Sequence, residues 1–468
     1  MLEDRDFLVP LGSARTVWDG DLYQSMPQSP SPDSTRNLVA RLIAALTAEP
    51  ARSAPPTLDE GAEYPFPPQG VVMGQESLDE LRDQYISRSD AQLCIQNSPW
   101  TKAICSHRMA FLSHVSVACV YQDLEEGFLD DTALTVYAKT KVLGMITESL
   151  RHHTTQTDDF TILIILHLLT SEIGGQNEER IDVHQEGLMR IVHQRGGLSN
   201  LGWDGSIATF LTVVILTFTV LRGRPEPPML HGFVPSRITS ANVGLAISPL
   251  YAPNNDMSPL YGKCSKRTHD IISDMHDLTR TFVARWTFAI EAPQFASFDN
   301  HMQQIYTRLL LRTTTENDAA PDWKYESCRL AALVYCGAMV QGMSLSESAT
   351  AIHAPGSSAS QEGTAIITAL HNAVEQTDSS TFWDDMCGVL FWICLVGGAA
   401  SRPHDQFSNE ARQDKHTQAA WTRKSFALHA VRTSFPRGFE NSKAIVESQR
   451  TMLQVQHLID VKSGLLPR

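Results

Sequence analysis

Three stretches of this chain are apolar on every face: residues 160–171, 205–221 and 387–400. A helix without a polar face cannot lie on a protein surface, so it must be surrounded by lipid or by other helices. The longest run, 205–221, sits at the lower edge of what a bilayer span needs. Four threonines dilute it (Thr209, Thr212, Thr217, Thr219), and Arg222 and Arg224 follow it closely. Several such runs in one chain fit the middle of a helical bundle better than a membrane.

The rest of the pattern agrees. From about residue 77 the apolar positions recur at helical spacing. Ser98 and Pro99 read as a cap and first helical position, followed by a stripe of Trp100, Ile104, Phe111, Leu112 and Val115. Leu134, Tyr137, Val142 and Ile146 mark a helix over 130–150. Thr157, Asp158 and Asp159 open the apolar run at 160, and Gly174–Gly175 close it. A helix over 178–194 ends at Gly196–Gly197, where a left-handed cap favours glycine. Asp204 is expected to cap the next helix. Further helices are expected over 268–291, 297–313, 322–340, 361–376, 380–396, 403–434 and 442–461. No strand alternation exceeds four or five residues. The expected fold class is all-α, a multi-helix bundle or array.

Two regions break the pattern. Residues 1–75 hold ten of the 24 prolines, which stop helix and sheet from propagating. This segment is expected to be disordered, except for a short amphipathic helix over 36–49 with Leu38, Val39, Leu42, Ile43 and Leu46 on one face. So short a helix is marginal alone and should dock. Its Ser29-Pro30 and Ser31-Pro32 steps are possible phosphorylation sites, although plain linker is the simpler reading. Residues 223–266 hold seven prolines and read as a long surface loop inside one helical domain, 76–468.

Charge and cysteines narrow the function. Lys and Arg number 38 against 52 Asp and Glu, a net charge of −14. Residues 402–468 carry +5, leaving −19 on the remainder. The basic residues are scattered without aromatic interleaving, so a solvated face is expected rather than a nucleic-acid surface. The N-terminus, Met1-Leu2-Glu3-Asp4-Arg5-Asp6, lacks the basic and apolar regions of a secretory signal. The eight cysteines form no C-x-x-C pair. Cys387 and Cys394 stand about 10.5 Å apart along a helix, too far for a disulfide. Free, mostly buried thiols of an intracellular protein are expected.

Candidate chemistry is sparse. No G-x-G-x-x-G, P-loop or G-x-S-x-G occurs. An all-helical enzyme that ionises a diphosphate would need carboxylates converging on Mg²⁺. The pairs Asp130-Asp131, Asp158-Asp159 and Asp384-Asp385 each lack a third acid on the same face, and acids there suit helix N-termini. His184 and His193 fall on opposite faces of their helix. His107 and His114 share a face but stand about 10.5 Å apart. His184-Gln185-Glu186 resembles the H-x-E of zinc deaminases without the P-C-x-x-C. His167 reads as a hydrogen-bonded core histidine. No catalytic, cofactor-binding or metal-ligating residue is assigned, and no stoichiometric zinc is expected.

One stretch is more distinctive: Ile181-Asp182-Val183-His184-Gln185-Glu186-Gly187-Leu188-Met189-Arg190-Ile191-Val192-His193-Gln194-Arg195-Gly196-Gly197-Leu198. With 326–335, which contains Arg329, and 390–400, which contains Trp392, Gly397 and Gly398, it resembles the fungal-specific transcription factor regulatory domain over roughly residues 78–435. His184, Gly187, Leu188, Arg195, Gly196, Gly197 and Leu198 carry the first motif. The resemblance implies structural roles for these residues. Gly187 is expected to admit a closely crossing helix, with the helix at 160–169 as the neighbour. Gly397–Gly398 are expected to end a helix.

The resemblance implies a nuclear regulator, with shuttling to the cytoplasm as an option, serving a metabolic or secondary-metabolite pathway. Its partners would be transcription machinery or a zinc-cluster regulator. A homodimer and a small ligand in the bundle are further options, and neither membrane nor cofactor is implied. That family's DNA-reading module is a binuclear zinc cluster of six cysteines, and no cysteine precedes Cys94. This chain is therefore expected either to regulate without sequence-specific DNA binding of its own or to be an incomplete gene product whose zinc-cluster exon lies upstream. The competing reading is an all-α enzyme of fungal secondary metabolism, distinguished by carboxylates converging on a central cavity.

Overall fold

The computed structural model describes residues 32–48, 77–93, 99–175, 178–235, 246–287, 292–315, 319–352, 366–377, 383–402, 413–434 and 441–466. The expected disorder of 1–75 falls, outside 32–48 and from 77 on, beyond these residues, as do Ser98 and Cys94. Sixteen α-helices account for most of the described chain. Among the described residues there is no strand, only an isolated bridge between Ser248 and Tyr251. The all-α expectation therefore holds. The chain divides into two compact units, Met1–Ser171 and Glu172–Arg468.

The first unit holds α1 (Pro32–Thr47), α2 (Leu78–Leu93), α3 (Pro99–Ser106), α4 (Arg108–Glu125), α5 (Ala133–Arg151) and α6 (Asp159–Ser171). α4 is its hub, packing on α1, α3, α5 and α6. α6 is the first all-apolar run, and every residue from Thr161 to Ser171 is buried. Asp158 caps it, its carboxylate accepting from the Thr161 N–H at 2.6 Å. His167 meets the Ser113 hydroxyl of α4 through Nδ1 at 2.8 Å, which makes it the core histidine expected. His107 accepts from the Ala110 N–H at the start of α4 and stacks on Phe160 with ring centroids 3.7 Å apart.

Asp123, only 2% exposed, ties the α4–α5 corner together. It accepts from the Thr132 N–H (2.9 Å), the Thr132 hydroxyl (2.8 Å) and the Thr135 hydroxyl (2.6 Å). A buried carboxylate is tolerable only when its lone pairs are filled this way.

The second unit contains α7 (Glu178–Gln194), α8 (Ser206–Arg222), α9 (Lys266–Thr287), α10 (Ala292–Leu310), α11 (Trp323–Gln341), α12 (Leu345–Ala351), α13 (Ile366–Glu375), α14 (Cys387–Ala400), α15 (Gln413–Ser434) and α16 (Ser442–Lys462). The two remaining all-apolar runs, α8 and α14, are buried from end to end. They pack on each other and on α15 and α16, and α14 also packs on α11, α12 and α13. Burial in helices rather than lipid explains these runs. Among the described residues no single helix is long and apolar enough to cross a membrane.

α8 does not start on Asp204, as expected from its side chain. Its cap is Gly205 at φ 77°, after Trp203 and Asp204 at φ 58° and 50°. Three consecutive left-handed residues turn the chain into α8, a geometry that glycine enters without steric cost.

The proline-rich stretch after α8 forms short 3₁₀ turns among its described residues. It is also more than a surface excursion, because Leu230, Ala246, Ile247, Leu250 and Leu260 are buried. The seven described cysteines are all free, five of them buried.

His114 is held down to about pKa 4 by burial, and burial with neighbouring His114 holds His167 well below its ordinary value. Both are therefore neutral in the fold but take up protons when unfolded, near pH 6.5. Stability should be intact above that value and fall as pH drops toward 4. For His114 alone the loss is about 2 kcal/mol at pH 5. Thermal melts from pH 7.5 to 5 should show this decline, and His114→Gln should flatten it.

Candidate functional site

The distinctive stretch 181–198 forms the C-terminal four-fifths of α7 and the turn beyond it. Ile181, Leu188, Ile191 and Val192 make its buried stripe. The helix ends as expected from its glycines. Gly196 and Gly197 have φ 96° and 97°, and the Gly197 N–H donates back to the Val192 carbonyl at 2.9 Å. The Arg195 and Gly196 carbonyls accept from the Asn200 side chain at 3.3 and 3.1 Å. Leu198 then buries its side chain at the start of a 3₁₀ turn.

Gly187 behaves differently from expectation. A Cβ built there meets nothing within 4 Å, so no helix crosses closely enough to demand glycine. The close approaches lie on α14 instead. A Cβ on Gly397 would stand 2.6 Å from the Phe426 ring of α15, and one on Gly398 would stand 2.3 Å from Leu221 of α8. Gly397 and Gly398 therefore do not end a helix, since α14 runs through them to Ala400. They are the positions where two neighbours press against its backbone. Gly388, the second residue of α14, is similar: a Cβ there would stand 2.4 Å from the Ala246 carbonyl oxygen.

The other motif residues also serve packing. Arg329 is 2% exposed and is paired within α11 to Glu326, Nε to Oε2 at 3.0 Å and Nη2 to Oε1 at 2.5 Å. Trp392 of α14 meets Tyr335 of α11 edge-to-face at 5.8 Å, and Tyr335 shares a 3.0 Å hydrogen bond with Thr279 of α9. The second and third motifs are thereby joined directly.

What binds α7 to its bundle escaped the sequence reading. Glu178 and Asp182, one turn apart on α7, face three arginines. Arg222, 3% exposed at the end of α8, donates to Asp182 at 2.6 Å and to Glu178 at 3.2 Å. Arg224 donates to Asp182 at 2.6 Å, and Arg423 of α15 donates to the other Glu178 oxygen at 3.0 Å. Burial alone would raise the Glu178 pKa, but Arg423 and Arg222 outweigh it and hold the carboxyl below its usual range. Hydrogen bonding from Arg222, against some desolvation, does the same for Asp182 with help from Arg224. The available signal was the i, i+4 spacing of the acids and the Arg-x-Arg after α8, but nothing in either string names the other.

Beside this latch lies an open groove of about 430 Å³ with apolar walls of Met189, Pro227, Pro228 and Met229, edged by Asp182 and Glu186. His184 is half-buried on the same helix, its Nε2 without a hydrogen-bond partner. Burial and Arg180, opposed by Glu172, keep it below its ordinary pKa.

The paired acids do not converge on a cavity. Asp158 caps α6, Asp131 accepts from the Lys139 ammonium at 2.6 Å, and Asp385 lies exposed. Among the described residues no group of three or more His, Cys, Asp or Glu is placed to hold a metal.

Two substitutions separate the glycines. Gly187→Ala should raise stability by up to about 1 kcal/mol through helix propensity, whereas Gly397→Ala should cost about 1–3 kcal/mol by overpacking. Chemical denaturation of the two variants reads both signs. Glu178→Gln should cost about 1–2 kcal/mol, because it strips charge-assisted bonds from buried Arg222 and Arg423. That difference from wild type should be present at neutral pH and be lost as the pH falls through and below the usual carboxylate range, since the Glu178 carboxyl is held below its ordinary value.

A family model for the fungal specific transcription factor domain matches residues 91–448. No curated protein and no solved structure matches the chain. The matched span contains every motif described above, and the glycines, Arg329 and Trp392 fill structural positions within it. The chain belongs to the fungal specific transcription factor domain family, and its role is that of a transcriptional regulator acting in the nucleus.

Proposed function

We propose that this chain regulates a metabolic or secondary-metabolite pathway through protein contacts and does not read DNA sequence by itself. The family match over residues 91–448 carries this reading. Support comes from how the polar residues are used. His167 in α6, Asp131, Asp158, Arg222 and Arg423 are engaged in core hydrogen bonding, ion pairing, helix capping and the α7 latch. The surface is left for recognition.

Charge supports the same reading. Residues 1–401 carry −19, and their eight cysteines form no C-x-x-C pair of the kind a binuclear zinc cluster uses, which favours protein contacts over phosphate binding. The partners proposed are transcription machinery or a regulator that carries its own DNA-binding module.

Two measurements test the reading. The full chain fused to a heterologous DNA-binding domain should change reporter transcription, by activation or repression. The purified chain should show only weak DNA binding that collapses between 50 and 200 mM salt, where phosphate-driven complexes lose about 10³–10⁵ in affinity. A sequence-selective, salt-tolerant mobility shift would overturn the proposal, as would a fusion that leaves the reporter unchanged.

A further inference from the structure

α1 lies outside the residues the family model matches, yet its apolar face is completely covered. Leu38, Val39, Leu42, Ile43 and Leu46 are each at most 3% exposed. They pack into a groove made by α2 and α4, with a smaller contribution from α5. Charge holds both ends. Toward the N-terminus, Arg36 pairs with Asp123 at 3.5 Å and with Glu126, and its guanidinium lies 5.8 Å over the Phe128 ring. At the C-terminus, Arg108 of α4 donates to the Leu46 carbonyl at 2.7 Å and to the Ala48 carbonyl.

This is the anatomy of an amphipathic helix laid in a receptor groove. The floor at its acidic end does not depend on α1, because Asp123 is already oriented by Thr132 and Thr135. The covalent link to the rest of the chain is residues 49–76, which contain six prolines and can reach at most roughly 90 Å. A helix of this length is marginal in water, so α1 is helical by virtue of the groove it fills.

We propose that the groove of α2, α4 and α5 is a binding site for an amphipathic helix of a partner protein, and that α1 is the tethered occupant such a helix displaces. The proposal rests on the reading that the chain works through protein contacts. The groove specifies its ligand. The incoming helix needs apolar residues at i, i+1, i+4, i+5 and i+8, and an arginine two positions before the first. Arginine fits better than lysine, because one planar guanidinium reaches two carboxylates and covers an aromatic ring. A second copy of this chain is a poor source of that helix. The tethered α1 competes at an effective concentration of order millimolar, so an identical helix in trans loses. A partner must bind more tightly or bring a second contact.

The test uses the full chain with a protease site inserted within residues 49–76, and a fluorescent peptide of residues 32–48 as the probe. After cleavage the two pieces should co-elute at tens of micromolar and exchange with the probe on dilution. An Arg36→Glu peptide should compete about tenfold or more weakly. The uncut chain should exclude the probe, and uncut Leu42→Asp, which weakens the resident helix, should admit it. Several results would overturn the proposal. One is a cleaved protein that keeps its native circular dichroism but takes up no probe. Another is one that unfolds on cleavage, since α1 would then be an integral core element. A third is an Arg36→Glu peptide that competes as well as wild type. An uncut dimer that Leu42→Asp converts to monomer would identify the occupant as a second copy and overturn the partner reading. None of these outcomes bears on the reporter assay, so this proposal and the proposed function fail separately.

Discussion

The second unit depends on how closely its neighbours approach α14. Gly397 and Gly398 remove the side chains that would hold α15 and α8 away, and Phe426 and Leu221 fill the space. That approach also places the next residues. Arg222 follows Leu221 on α8, and Arg423 lies one turn before Phe426 on α15. Both guanidiniums converge on Glu178. The glycine contact and the charge latch of α7 are thus consequences of one another: widening the α14 gap would move the arginines away from the acids that hold the signature helix. Buried guanidiniums are costly unless paired, so the latch also penalises arrangements in which α7 is absent.

The polar groups inside both units follow the same logic. Ser113 and His167 satisfy each other across α4 and α6, Asp123 is filled by Thr132 and Thr135, and Lys462 of α16 donates to the Met339 and Val340 carbonyls that end α11. Groups that could support catalysis are spent on holding helices together, which suits a protein whose family role is regulatory. The Met189–Met229 groove beside the latch is left open.

Much of this was readable along the chain. The all-apolar runs at 160–171, 205–221 and 387–400 announced buried helices. Gly196–Gly197 announced a helix end, and His167 announced a core hydrogen bond, because each signal is local. The glycines inside helices were less transparent. Gly187 and Gly397 both interrupt good helix formers, and propensity assigns them the same cost. Only the neighbour distinguishes them, since Gly397 faces a ring and Gly187 faces nothing within 4 Å. The turn into α8 departs from the expected cap for a related reason. Asp204 has the chemistry of a cap, but the backbone enters through left-handed residues and puts Gly205 in that place.

The sequence by itself determined the class of fold, most of the helices and the family, because hydropathy period, turn residues and motif order are properties of short strings; it did not show α12, Leu345–Ala351. It also determined which helices must be central, since an apolar face on every side leaves no other place for them. Tertiary structure alone decided which of those helices touch and where. It brought Glu178 and Asp182 to arginines some 40 and 245 positions away, chose Gly397 and Gly398 over Gly187 as the points of closest approach, and seated α1 against Asp123 and Glu126. These contacts join residues far apart in the chain, and their energies exist only once packing has excluded water and fixed the distance.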